Sequence, residues 1–142
     1  DQHYLETYGL TLLTGAWFSE SQEKQTRLDI PEEERAYVLV VNEATVRQLG
    51  FSNPEDILGK YLTIGLNRIN APVIGVVKDF HVNSLRDPIN PVVMTTINDS
   101  YGLTNIKINM TNAKSVIGGM KDTWNKHFPD YIFEYNFLDQ QI

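Results

Sequence analysis

The stretch that most constrains the fold is an apolar run that ends in polar residues, Val73-Ile-Gly-Val-Val-Lys-Asp-Phe-His81. Its β-branched residues predict a buried strand at the centre of a sheet. Gly75 interrupts the run, and a glycine inside a strand marks a bulge or a close approach of another backbone. Pro88 and Pro91 in the next segment exclude a helix interior or a central strand there. We therefore expect a central strand followed by an extended link into a second half of the domain.

Length and charge narrow the function classes. The 142 residues suit one domain or two small lobes. The net charge of −6 argues against nucleic acid as a partner, because binding to phosphates needs a basic face. The chain has no cysteine, which excludes disulfides, thiol catalysis and cysteine metal sites.

Hydropathy and the chain ends give further expectations. No run reaches the roughly 18 apolar residues of a membrane helix, so this stretch of chain is expected to be soluble. It does not start with Met and shows no basic-then-apolar leader, which indicates a piece of a longer protein.

Local signals in the first half predict alternating helices and strands. Gly9 is expected to end the first helix in a left-handed cap, and Asn42 to begin the second. Gly50 and Phe51 are expected to end that second helix in a Schellman motif. Trp17 and Phe18 are expected to anchor the chain to the core. The predicted order is helix 1–9, strand 10–13, loop 19–35, strand 36–41 buried on both faces, helix 43–49, strand 61–64 and turn 65–70.

The second half predicts a strand–helix–strand unit. Alternation predicts a strand over residues 104–110, and an apolar stripe predicts a helix over 113–127, capped by Asn112. The sequence predicts a further strand over residues 131–138. It also predicts a strand over residues 92–97 and a turn over 98–102. Gly118-Gly119 inside the helix predicts close packing or a bend. The aromatic face of the last strand is expected to be core rather than a ligand-stacking surface; its members are Tyr131, Phe133, Tyr135 and Phe137.

Asp79 and His81 are the strongest candidate site residues. They share one face of a strand, which is compatible with a metal site or an acid–base pair. The alternative, which we favour, is that Asp79 caps or hydrogen-bonds the following loop. No nucleophile elbow, phosphate loop, dinucleotide fingerprint or zinc spacing occurs, and the acidic run 31–34 suits a solvated loop. We therefore predict no catalytic, cofactor-binding or metal residue, no cofactor and no enzymatic activity.

Several blocks in a fixed order carry a family resemblance. They are Tyr4-Leu-Glu-Thr-Tyr-Gly-Leu-Thr-Leu-Leu-Thr-Gly15, Val40-Val-Asn-Glu-Ala44, Leu58-Gly-Lys60, the Val73–His81 stretch, and Phe128-Pro-Asp-Tyr131 with Phe133-Glu-Tyr-Asn-Phe-Leu-Asp139. In these blocks the chain resembles the extracytoplasmic core domain of MacB-like and FtsX-like ABC transporter permeases, of the Bacteroidetes type. Ala16 departs from the family pattern, which has Gly-Arg before the aromatic of the first block. The family's first strand and helix also have no counterpart before Asp1.

The resemblance implies an α+β fold, a two-lobed mixed α/β domain. Residues 1–18 and 92–142 would form a porter-like lobe, incomplete here, with a ferredoxin-like strand–helix–strand. Residues 19–91 would form an inserted, sabre-like lobe. The domain would lie at the periplasmic face of the bacterial inner membrane and do no chemistry, transmitting ATP-driven motion of membrane helices to the periplasm.

The implied partners belong to the full-length, membrane-embedded chain. They are a second permease copy, a cytoplasmic ATPase subunit or domain, and a periplasmic adaptor or lipoprotein. The alternative function is an extracytoplasmic module that binds or senses a small ligand in a cleft between two lobes, where ligands are often held.

Overall fold

The computed structural model describes residues 1–65, 69–82, 86–97 and 101–138. The chain divides into two compact units, Asp1–Thr104 and Asn105–Ile142, which we call the first and the second unit.

A mixed sheet forms the centre of the first unit. Its strands are β1 (Leu12–Gly15), β2 (Leu39–Asn42), β3 (Tyr61–Ile64), β4 (Ile69–Val77) and β5 (Val93–Met94). They are ordered β1-β4-β2-β5, and β3 also pairs with β4. β4 runs parallel to β2 and antiparallel to β1 and β3. The predicted central strand is therefore confirmed.

Two glycines let β1 and β4 approach closely. Gly15 lies opposite Gly75 in the antiparallel register. A Cβ added at Gly75 would lie 2.2 Å from the Ala16 carbonyl oxygen, and one at Gly15 would lie 2.2 Å from the Ile74 oxygen. The Ala16 N–H donates to the same Ile74 oxygen at 2.8 Å. The close backbone approach that Gly75 predicts is confirmed.

Apolar side chains cover both faces of the sheet. β2 is buried along its whole length, because Leu39 and Val41 enter one apolar cluster and Val40 enters the other. The larger cluster also takes Val46 and Ile57 from the segments after β2. Phe18 lies in the smaller cluster with Trp17 packed against it, as expected for two anchoring aromatic residues.

The helices of the first unit follow local signals. They are α1 (Tyr4–Tyr8), α2 (Glu20–Lys24) and α3 (Glu43–Gln48), with 3₁₀ turns at Glu32–Glu34 and Pro54–Ile57. Gly9 ends α1 at φ 65°, as predicted. The Phe51 N–H donates to the Val46 carbonyl, which confirms the Schellman ending of α3. The 31–34 run is exposed, as expected of a solvated segment.

The loop predicted over residues 19–35 is wrong at α2. Ser19 accepts from the Gln22 N–H, and the Gln22 side chain accepts from the Ser19 N–H, which forms a capping box. The signal, a serine followed three residues later by glutamine, stands in the sequence. Its polar composition masked it, because α2 has no apolar stripe and buries no residue.

The second unit contains α4 (Ala113–His127) where the sequence predicts it. The flanking strands do not form: residues 104–109 and 131–137 carry no strand pairing. Asn112 makes no side-chain cap; instead the Asn109 side chain accepts from the Thr111 N–H in a 3₁₀ turn at Met110–Asn112. A Cβ at Gly118 or Gly119 would meet nothing within 4 Å, so the predicted close packing is also wrong.

Burial separates the second unit from the first. Of its described residues, 105–138, none is buried. The predicted aromatic core face is wrong for Tyr131 and Tyr135, which are 70% and 54% exposed, while Phe133 and Phe137 are half-buried. Neighbouring rings still contact each other from Trp124 to Phe137.

The overall class is nevertheless the predicted one, a mixed α/β fold built on a mixed sheet. β5 covers only part of the predicted strand 92–97. The predicted turn at 98–102 falls partly outside the described residues. β1 and β5, which the predicted lobe division groups together, lie in one sheet with β2 and β4.

Candidate functional site: a link held by one helix

Residues 78–92, which we call the link, connect β4 to β5. Asn42 holds the far end of the link. Its Oδ1 accepts from the Val92 N–H at 2.9 Å, and its Nδ2 donates to the Asn90 carbonyl at 2.9 Å. The same Oδ1 caps α3 by accepting from the Thr45 N–H at 3.1 Å. Through these bonds the Asn42 side chain joins the end of β2, the start of α3 and the end of the link. Asn42 is fully buried.

Thr45 reinforces this anchor. Its hydroxyl lies 2.9 Å from both the Asn42 Oδ1 and the Val92 carbonyl oxygen. A hydroxyl carries one proton, so it can donate to only one of these acceptors at a time. The Asn42 N–H also donates to the Val92 carbonyl at 3.2 Å, which keeps that oxygen bonded in either case.

Asp79 holds the near end of the link to the same helix. Its Oδ1 accepts from the Ala44 N–H at 2.8 Å, and its Oδ2 accepts from the Arg47 guanidinium at 2.6 Å. The Asp79 N–H in turn donates to the Glu43 carboxylate at 2.9 Å. The Asp79 carboxylate also lies near the N-terminus of α3, where the helix dipole stabilises a negative charge.

The electrostatics of this contact are modest. The hydrogen bond that Arg47 donates to Asp79 raises the pKa of the guanidinium above its ordinary value. The Asp79 side chain is only 16% exposed, but that of Arg47 is 61% exposed. Solvent therefore screens the ion pair, and the backbone hydrogen bond to Ala44 is the firmer half of the anchor.

A shallow pocket of about 190 Å³ lies on the link between its two anchors. Its lining residues are His81, Val82, Asp87, Pro88, Ile89, Asn90, Pro91 and Val92. All but Val92 are exposed, so the pocket is an open depression.

The structure separates the two candidate site residues. The Asp79 carboxylate bonds to α3, which lies earlier in the chain, and the bonds described for it do not run to the following loop as we expected. His81 lines the pocket instead. Within the described ranges no group of three His, Cys, Asp or Glu side chains could hold a metal ion.

Sequence reasoning found one role of Asn42 and missed the other. Its position before an amphipathic segment predicts the helix cap, which is confirmed. Its bonds to Asn90 and Val92 join residues 48 and 50 positions apart, and no local pattern signals them.

Comparison with known proteins gives the identification. The model of a family described as the MacB-like periplasmic core domain matches residues 1–124. The chain belongs to this family. It is an extracytoplasmic domain of MacB-like ABC transporter permeases, a transporter family rather than an enzyme class. The resemblance to MacB-like permeases is confirmed over residues 1–124, and the last of the sequence blocks, residues 128–139, lies outside that match. Among curated proteins, none matches the chain significantly.

Three solved structures share the fold. The extracellular domain of YknZ, a noncanonic ABC-type transporter from Gram-positive bacteria, matches with a TM-score of 0.55 at 15% identity, covering 89% of this chain and 60% of that one. The periplasmic region of MacB from Actinobacillus actinomycetemcomitans matches at 0.51 and 22% identity, with coverage of 93% and 64%. A domain of a putative permease from Porphyromonas gingivalis matches at 0.54 and 16%, with coverage of 92% and 58%.

This MacB-like domain spans about 60% of the length of the YknZ structure that it matches. At these identities the structures establish the fold alone. Within the described residues, the helices are too short or too polar for a membrane span.

Proposed function

We propose that this domain transmits ATP-driven motion of membrane helices to the periplasm and contacts partner proteins there, with no chemistry of its own. The observation that carries the proposal is the link, whose two ends are fastened to one helix by Asn42 and Asp79. A displacement at either end of the link acts on α3 and on β2, because Asn42 belongs to both.

The route of force follows from the bonded elements. β4 and β2 are parallel neighbours, so the start of the link and the start of α3 lie at the same end of the sheet. Buried hydrogen bonds at Asn42 give this junction a definite geometry. A junction that is fixed at both ends passes on a rigid displacement, whereas a loosely tethered loop would absorb it.

The proposed assembly belongs to the full-length protein. It comprises a second permease copy, a cytoplasmic ATPase subunit or domain, and a periplasmic adaptor or lipoprotein. We further propose the two-lobe division of residues 1–18 with 92–142 against 19–91, in which the link meets the boundary. The family assignment supports this setting, since the domain lies outside the cytoplasm and the motor would lie within it.

A small-ligand-binding module is the alternative, and the pocket on the link is the observation behind it. At about 190 Å³ it is smaller than the roughly 300–1,000 Å³ of typical small-molecule sites. A saturable ligand that raises the melting temperature of the chain would favour this alternative, because a ligand that binds the folded state stabilises it.

Hydrogen–deuterium exchange on the full-length permease in lipid, assembled with its ATPase, tests the mechanical proposal. We expect amide exchange in residues 78–92 to differ between the nucleotide-free state and a state trapped with ATP and vanadate. Asn42→Ala and Asp79→Ala should loosen the link and reduce that difference. Identical exchange of the link in both nucleotide states would contradict the proposal.

A further inference from the structure

The link carries a surface that the mechanical proposal does not use. Two apolar residues of the pocket lining are exposed, Val82 at 62% and Ile89 at 36%. Two prolines, Pro88 and Pro91, form part of the same lining. Exposed apolar groups in a depression gain stability when another apolar group covers them.

The wall of the pocket is held in place before anything binds. Pro88 and Pro91 each fix one backbone dihedral. The Asn90 carbonyl and the Val92 N–H are bonded to the buried Asn42 side chain. A preorganised wall loses little conformational entropy on binding, which favours a weak contact at this place over one on a free loop.

The volume limits what can occupy the pocket. An engineered cavity of about 150 Å³ in another protein accommodates benzene. The pocket here, at about 190 Å³, therefore has room for one aliphatic or aromatic side chain, although it is open on one side.

Charge indicates the kind of protein that would supply this side chain. Residues 1–104 contain fourteen of the 18 acidic residues and eight of the 12 Lys and Arg residues, so the whole net charge of −6 belongs to the first unit. Asp87 brings a carboxylate into the lining itself. The negative electrostatic potential of the first unit attracts a basic surface and repels an acidic one.

We propose that the pocket between His81 and Val92 is a docking site for one aliphatic or aromatic side chain projecting from a basic segment of a partner protein. The inference rests on the proposed function, because it names the surface through which the domain would contact its partner. An occupied pocket would bear on the link directly between the Asp79 and Asn42 anchors.

Nuclear magnetic resonance titration of the ¹⁵N-labelled chain, residues 1–142, tests the site. The probes are three acetylated, amidated pentapeptides: Lys-Lys-Leu-Lys-Lys, Lys-Lys-Gly-Lys-Lys and Glu-Glu-Leu-Glu-Glu. We expect the first to shift the amide signals of Val82, Ile89 and Asn90 saturably at millimolar concentration. The glycine peptide should bind at least about tenfold more weakly, since it lacks the buried side chain. The acidic peptide should bind more weakly than the basic leucine peptide.

Variants separate the pocket from general attraction to an acidic protein. Ile89→Ser should weaken the leucine peptide at least about fivefold and leave the glycine peptide unchanged. Asp87→Asn should reduce the salt dependence of binding. As a control, Leu28→Ser replaces an aliphatic residue of the first unit that is 62% exposed and lies outside the pocket, and it should leave the binding of both peptides unchanged.

Three results would overturn the docking site: equal binding of the leucine and glycine peptides, shifts that occur away from residues 81–92, or leucine-peptide binding that survives Ile89→Ser. Any of them would leave the mechanical proposal standing, because the exchange experiment on the link needs no occupied pocket. Conversely, if amide exchange of the link did not differ between the nucleotide states, peptide binding in the pocket would still be a valid finding.

Discussion

The two units use apolar residues to different effect. In the first unit, a sheet offers two faces, and side chains from β2 and β4 are removed from water on both. In the second unit, α4 forms, yet its apolar stripe stays at most half-buried and Ile132 is 82% exposed. A helix satisfies its backbone groups within itself, whereas a strand needs a neighbour. Apolar patterning therefore suffices to predict α4, but it wrongly predicts strands on either side of that helix.

The largest expected difference between the units comes from isoleucine truncation. Ile57 is fully buried in the larger apolar cluster, so Ile57→Ala should destabilise the first unit by about 2–5 kcal/mol. Ile132→Ala, at a side chain that is 82% exposed, should change stability by no more than about 0.5 kcal/mol. Urea unfolding measures both.

Tryptophan fluorescence assigns each effect to a unit, because Trp17 lies in the first and Trp124 in the second. Phenylalanine at one of these positions leaves a single reporter for the other unit. Comparable losses from the two isoleucine variants would abolish the contrast between a packed and an unpacked unit.

Replacing a glycine by alanine should lower the stability of the first unit and raise the stability of the second. Gly75→Ala would place a methyl group 2.2 Å from the Ala16 carbonyl oxygen and should destabilise by about 1–3 kcal/mol. Gly118→Ala meets open space within α4 and should favour that helix by about 1 kcal/mol. Circular dichroism during thermal unfolding records both changes; an unaltered Gly75→Ala midpoint would contradict the close approach of β1 and β4.

Removing an anchor of the link should destabilise the protein more than removing a cap in the second unit. Asp79→Ala removes the acceptor for the Ala44 N–H and should destabilise by about 1 kcal/mol. Asn109→Ala removes a similar acceptor for the exposed Thr111 N–H and should change only the local turn. Amide exchange of residues 43–47 and 111–115 reports the two sites, and equal protection changes would argue against a structural role for the link anchor.

The smallest expected effect is a change in stability at alkaline pH. Burial, and then the neighbouring Tyr8, raise the pKa of Tyr4 above its ordinary value of about 10. The folded state thus retains a proton that the unfolded chain releases first, so this contribution to stability is intact below about pH 10 and falls as the pH rises towards the folded-state pKa. Tyr4→Phe should flatten the decline in melting temperature over that range, and an unchanged decline would contradict the burial.

How well the sequence predicted each element depended on the distance over which its signal acts. The left-handed Gly9, the Asn42 cap and the Schellman ending at Gly50 each concern residues within one helical turn, and all three are present. Gly75 signals a close backbone approach because a glycine inside a strand has no Cβ and leaves room for another backbone beside it. α2 is the exception, because its capping box is a local signal while its polar composition, with no buried residue, is also typical of a loop.

The sequence by itself determined α1, α3 and α4, the central strand, the family and the absence of a recognisable catalytic motif. Only the tertiary structure decided the strand order, the turn of Asp79 towards α3, and the second role of Asn42. Segments 104–109 and 131–137 alternate as strands do, yet remain without pairing in the structure. The physical reason is the same in each case. Caps and helices are stabilised by neighbours along the chain, whereas strand pairing and buried polar contacts are stabilised by groups that only the folded chain brings together.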